Sequence, residues 1–229
     1  QGGRVLTGHG VERLLLDDGR VTGVVAAGRE LPADAVVSSL PLSAVPGLAA
    51  APAPVRRAAS ELRHRDFLTV ALAVDGEDLF PDNWVYVHDP SVRVARIQNY
   101  RSWSPHMVPD PSATSVGLEY FCFAGDELWE TPDEQLVALA ASELERIGLA
   151  RADRVRRGWV VRVPMAYPIY DEHYAGRVGA IRDWLATVPN LQQIGRNGLH
   201  RYNNSDHSML TGLCAAANVD GAQHDLWAV

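Results

Sequence analysis

Hydrophobic positions change their period several times along this chain, and the changes mark out its elements. Residues 5–16 are rich in strand formers, Asp17-Asp18-Gly19-Arg20 is a turn tetrad, and residues 21–27 return, which predicts a β-hairpin. A second turn at Gly28-Arg29-Glu30 leads into the apolar run 35–41, read as a buried strand. Residues 43–54, dense in Ala, Pro and Gly, read as a crossing linker, and 55–64 as a short helix. Strands are predicted at 67–74, 84–88, 92–100, 114–123 and 155–163, with turn clusters at Asp75-Gly76-Glu77-Asp78 and Pro109-Asp110-Pro111. Residues 132–148 carry a helical period, with Leu136, Ala140, Leu144 and Ile147 on one face and Thr131 or Asp133 as the cap. A second helix is predicted at 172–186 and a short strand at 191–194. Met209, Leu210, Leu213, Cys214 and Ala217 then recur at helical spacing and predict a last helix. The fold class is mixed α/β, with an antiparallel sheet and its helices over residues 46–165.

Composition narrows the classes of function. The 21 basic residues are all Arg, which removes Schiff-base lysine and P-loop chemistry. A net charge of −7 with no basic run argues against a nucleic-acid partner. Cys122 and Cys214 fit no metal or redox spacing and read as buried free thiols, which suits a reducing cytoplasm. No apolar run approaches membrane-span length.

The most informative stretch is 195–218, G-R-N-G-L-H-R-Y-N-N-S-D-H-S-M-L-T-G-L-C-A-A-A-N. Its order is a strand, a Gly-rich turn with a cation, a cluster of N-cap residues at Asn203-Asn204-Ser205-Asp206, and then a helix. Gly195 and Gly198 let the backbone turn tightly and approach a bound group. The amides and positive dipole end of such a helix suit an anion, and Arg196 adds a phosphate donor. Capping alone accounts equally well for Ser205 or Asp206.

These residues resemble the C-terminal flavin motif of the FAD-dependent amine oxidase, protoporphyrinogen oxidase and UDP-galactopyranose mutase superfamily. The likeness is greatest to the mutase-like branch, where G-R-x-G precedes an aromatic or His, a basic residue, Tyr and an N-x-D-H-S segment. The resemblance implies a partial FAD-binding, Rossmann-like domain with an inserted substrate domain. Residues 1–45 would be a hairpin and strand of the FAD domain, 46–165 the substrate-binding domain, and 166–229 the return with the flavin motif. It implies FAD contacts at Gly195, Arg196, Gly198, Asn204, Ser205, Asp206, His207, Ser208 and Met209. Tyr167, Tyr170, Tyr202 and Arg96 would meet a small-molecule substrate, an amine or a nucleotide-sugar. The G-x-G-x-x-G fingerprint of the family's first strand and helix is missing. Gly8-His9-Gly10 imitates it in a hairpin, the wrong context. With Gln1 in place of an initiator Met, the chain reads as the middle of a longer product that binds FAD poorly alone.

Other chemistries fit less well. Ser205-Asp206-His207-Ser208 cannot be a hydrolytic triad, because neighbours in one helical turn point apart. The eight histidines show no zinc-ligand spacing, and no metal is expected. No catalytic residue is identified. A paired-arginine diphosphate clamp has only Arg93, Arg96 and Arg101 to draw on. Three functions stay open: the substrate- and FAD-binding part of a flavin-dependent oxidoreductase, a mutase-like nucleotide-sugar isomerase, and a non-catalytic binding module without the cofactor.

Overall fold

The turn tetrad at 17–20 folds the chain back on itself. β1 (Val11–Asp17) and β2 (Arg20–Ala26) pair antiparallel, and β3 (Arg29–Pro32) adds to the other edge of β2. Asp18 and Gly19 both take positive φ, 44° and 73°, the geometry that matches the twist of a two-residue hairpin. The computed structural model describes residues 2–229. They divide into two compact units, the first made of the residues up to His64 with Tyr167–Val229, the second of Arg65–Ala166.

In the first unit the chain runs on through β4 (Val36–Ser38), α1 (Val45–Leu48) and α2 (Ala53–Ser60). The expected linker at 43–54 is therefore partly helical. Pro46 and Pro54 lie in first turns, where a proline's missing N–H is no loss, so they start helices instead of breaking them.

The second unit is built on a sheet of five strands: β5 (His64–Asp75), β6 (Trp84–Tyr86), β7 (Arg96–Asn99), β8 (Ala113–Cys122) and β9 (Val155–Pro168). Their spatial order is β6-β7-β8-β5-β9. Between them come α3 (Tyr100–Trp103), α4 (Glu127–Glu130) and α5 (Asp133–Arg146). Burial alternates along β5. Leu68, Val70, Leu72 and Val74 join Val116, Leu118 and Tyr120 of β8 and Leu136, Ala140 and Leu144 of α5 in one apolar core. The strand expected at 92–100 shortens to four residues. The amides of Arg93 and Val94 donate to the Glu143 carboxylate, at 2.6 and 3.1 Å, in place of a strand neighbour. Asn99 then accepts from the Ser102 amide and starts α3. Trp129 packs against this core, whereas Trp103 and Trp159 are exposed.

The first unit resumes with α6 (Tyr174–Leu185), β10 (Leu191–Gln193), α7 (Gly195–Gly198) and α8 (Ser205–Val219). β10 pairs with β4 in parallel, Leu191 opposite Val36. The Asn190 side chain accepts from the Val21 amide and donates to the carbonyls of Val21 and Asp34, tying β2 to the start of β10. Arg177 of α6 binds Asp171 and Glu61. The face of α8 differs from the expected one. Thr211 and Ala215 are buried, while Met209, Leu210 and Leu213 are exposed. The helix packs through its small side, where the Thr211 hydroxyl accepts from the Gly195 amide. No helix among the described residues is long and apolar enough to cross a membrane.

Candidate flavin-binding turn

Between β10 and α8 the backbone is fixed at four points. Gly195 takes φ +74°, which a side chain would resist, and its amide donates to Thr211 Oγ1 at 3.0 Å. Gly198 packs on the end of β4, where a Cβ would stand 3.2 Å from the Ser38 carbonyl oxygen. Arg196 donates through Nε and Nη2 to the Asn203 carbonyl, at 3.0 and 2.6 Å. The Ser208 hydroxyl donates to Asn203 Oδ1 at 2.9 Å, so Asn203 is held through both its backbone and its side chain.

Three tyrosines surround this turn. The rings of Tyr167 and Tyr202 stack with centroids 5.9 Å apart, and the Arg196 guanidinium lies 5.1 and 4.7 Å from them. The Tyr170 hydroxyl accepts from the Tyr202 amide at 2.5 Å. Beyond the turn, Asn204, Ser205, Asp206 and His207 are exposed at the start of the 15-residue helix α8. Asn204 stands at the N-cap with an extended backbone, and its side chain makes no cap bond. Hydrogen bonds from the His207 backbone and side chain hold the Asp206 carboxyl below its ordinary range.

The geometry thus assembles Gly195, Arg196, Gly198, Tyr167, Tyr170, Tyr202 and the Asn204–Ser208 helix start within one unit. Met209 is on the exposed flank of the helix. Arg96 belongs to the second unit and is nearly buried, with Nη2 2.5 Å from Glu119 Oε2. Arg101 is likewise engaged, with Glu77 at 2.7 Å. Of the three arginines available to a diphosphate clamp, two therefore have a charge that already meets an acid.

A sequence profile described as flavin-containing amine oxidoreductase matches residues 1–218. The chain belongs to the flavin-containing amine oxidoreductase family. No curated protein matches it. Among solved structures, a reduced UDP-galactopyranose mutase superposes with a TM-score of 0.79 at 16% identity, over 94% of this chain and 46% of that one. A wild-type putrescine oxidase bound to putrescine gives 0.63 at 13% identity, over 93% and 49%. A fatty acid isomerase from P. acnes gives 0.63 at 15% identity, over 94% and 48%. At these identities the likeness is one of fold, and the chain spans a little under half the length of each structure.

Two residues that matter to the turn of this amine oxidoreductase family member were not singled out from sequence, and Asn203 reads there only as one of the cap residues. Thr211 holds the turn, yet it is an ordinary polar residue within a helical stretch. His200 is the second. It is fully buried at φ +47°, edge-on to His64 with centroids 4.6 Å apart, and its carbonyl accepts from the Tyr174 hydroxyl at 3.0 Å. Burial, with His64 adding to it, pushes its pKa down to about 4, against the Ile169 carbonyl and Asp171. The ring is neutral in the fold, and the unfolded chain binds its proton more tightly. Stability is therefore expected to fall as pH drops from about 6.5 to about 4, by about 2–3 kcal/mol. His200→Asn, which suits positive φ, should flatten that acid limb of urea midpoints. Equal slopes in both proteins would refute this origin.

Proposed function

We propose that this chain is the substrate-binding and C-terminal FAD-binding part of a flavin-dependent oxidoreductase. The observation that carries the reading is the pinned turn before α8. Arg196, Ser208 and Thr211 fix the loop from inside, while the helix start beyond it is exposed and takes no cap from Asn204. A rigid loop followed by exposed polar residues at a dipole's positive end fits an electron-rich, polar ligand edge. Gly195, Gly198, Asn204, Ser205, Asp206, His207, Ser208 and Met209 would line the flavin, and Arg196 would order the loop that receives it. A flavin held there would supply a hydride acceptor for a C–H bond at a carbon next to nitrogen or carbon in the substrate. Tyr167, Tyr170 and Tyr202 would form the wall beside it.

In this reading residues 1–45 and 166–229 serve the cofactor, and 46–165 serve the substrate. The free cysteines, Cys122 and Cys214, suit a reducing cytoplasm. The solved relatives include a sugar-nucleotide mutase, a putrescine oxidase and a fatty acid isomerase, so fold alone leaves the substrate class open. The mutase likeness supports nucleotide-sugar isomerisation as a second reading.

Arg196→Ala in the flavin-loaded protein tests the proposal. Losing two charge-assisted bonds to Asn203 should weaken flavin retention by about 1–3 kcal/mol, roughly 5–150-fold in Kd. Flavin absorbance after desalting reads it. The comparison is made in a longer protein that includes the family's G-x-G-x-x-G segment. Unchanged occupancy there would count against the assignment, and a longer wild-type protein left colourless after desalting from FAD would favour a binding module without the cofactor.

A further inference from the structure

One face of the second unit's sheet is core; the other is paved with aromatic rings. Cross-strand partners share a face, so the strand register gives the rows of the open side. Tyr86, Arg96, Glu119 and Thr69 make one row, and Trp84, Gln98, Gly117 and Ala71 the next. Phe121 and Phe67 follow beyond the first. Tyr100 lies over the second row, because a Cβ on Gly117 would overlap its hydroxyl. Trp84 and Tyr86 stack with centroids 5.7 Å apart at 22°.

Beneath these rings the charges cancel. Arg96 turns Nε and Nη2 to Glu119 Oε2, at 2.6 and 2.5 Å, and the Gln98 amide donates to Glu119 Oε1. The guanidinium lies 5.1 Å from the Trp84 ring and 4.8 Å from Phe121. Arg96 and Glu119 are only 6% and 3% exposed, while Trp84, Tyr86 and Phe121 are 43%, 61% and 36% exposed. At the rim, Arg65 is engaged with the Phe121 carbonyl and the Phe123 ring. A diphosphate needs arginine forks free of other anions, and the fork at the centre of this face already holds a carboxylate. What the face offers instead is aromatic surface over an internally neutral base, which rewards burial of an apolar group.

We propose that the Trp84–Tyr86–Tyr100–Phe121 face binds an uncharged aromatic or apolar group of the substrate, not a nucleotide diphosphate. The substrate role rests on the oxidoreductase reading above; the binding chemistry does not. N-Phenyl-1-naphthylamine, a neutral aromatic probe that brightens in apolar sites, is titrated into the flavin-free chain, with UDP as the anionic comparison. Binding of the probe is expected, with about a tenfold loss in Tyr86→Ser and in Trp84→Ser, and no competition by UDP. Tyr86 is mostly exposed, so its variant keeps the test open if Trp84→Ser fails to fold. Leu213→Ser on the exposed flank of α8 should leave probe affinity unchanged. Competition by UDP, equal affinity in Tyr86→Ser, or loss in Leu213→Ser would each overturn the proposal. So would dimerisation of the wild-type chain abolished by Tyr86→Ser, which would make the face a contact between copies. Flavin retention in Arg196→Ala reads the other proposal separately.

Discussion

Glu143→Ala is expected to remove about 3–6 kcal/mol of stability, a large part of the roughly 5–15 kcal/mol that holds a domain folded. The carboxylate is only 4% exposed and sits on α5, yet it serves three donors from elsewhere in the chain. The amides of Arg93 and Val94 reach it at 2.6 and 3.1 Å, and the fully buried Tyr120 hydroxyl at 2.9 Å. Alanine leaves two amides and a phenol without an acceptor where water enters with difficulty. Each such orphan costs about 1–3 kcal/mol. Burial, followed by the Glu143 charge, raises the Tyr120 pKa, so the phenol stays a donor over the whole working range. Glu143→Gln keeps one acceptor oxygen and should lose only about 1–2 kcal/mol. Urea unfolding followed by tryptophan fluorescence, with Trp129 packed against this core, reads the difference. A midpoint for Glu143→Ala matching that of Glu143→Gln would mean that the donors find other partners.

Elements with a long, clean period were legible in the sequence. The helix at 132–148 and the hairpin at 11–26 stand where Leu136, Ala140 and Leu144 or the Asp18-Gly19 turn place them. Elements decided by a distant side chain were not. Nothing local shows that Glu143 will take the amides of Arg93 and Val94 and shorten the strand there. α8 shows the same limit from another side. Its apolar residues recur at helical spacing, yet Thr211 and Ala215 lie on the buried face, where the Thr211 hydroxyl meets the Gly195 amide. The candidate site was legible as a motif, from Gly195 to Ser208. Its internal wiring was not, since it depends on which carbonyl Arg196 finds. The free space around a motif arginine looks the same in sequence whether it meets a phosphate or Asn203. Arg96 repeats the case: Glu119 is 23 positions away in sequence and directly opposite in the sheet.

That sheet pair is the second large effect. Glu119→Gln is expected to destabilise the protein by about 3–5 kcal/mol, since it leaves the Arg96 guanidinium buried without its counter-charge. Gln keeps one acceptor oxygen where Glu119 now offers one to Arg96 and the other to Gln98, so the loss combines the missing charge with one missing hydrogen bond. The aromatic rings of Trp84 and Phe121 offset some of it, as a cation over a ring gains about 0.5–2 kcal/mol. Replacing both members, as Arg96→Met with Glu119→Leu, removes the buried charges together and should recover most of the stability. A buried pair contributes little beyond what it costs to desolvate. The comparison also separates structure from recognition. If the pair's purpose is to give the aromatic face a neutral floor, the double variant should keep its affinity for the neutral probe while the Glu119→Gln protein, with an uncompensated cation below Trp84, should begin to attract UDP. Equal destabilisation of the single and double variants would show instead that packing volume, not charge, holds the centre of this sheet.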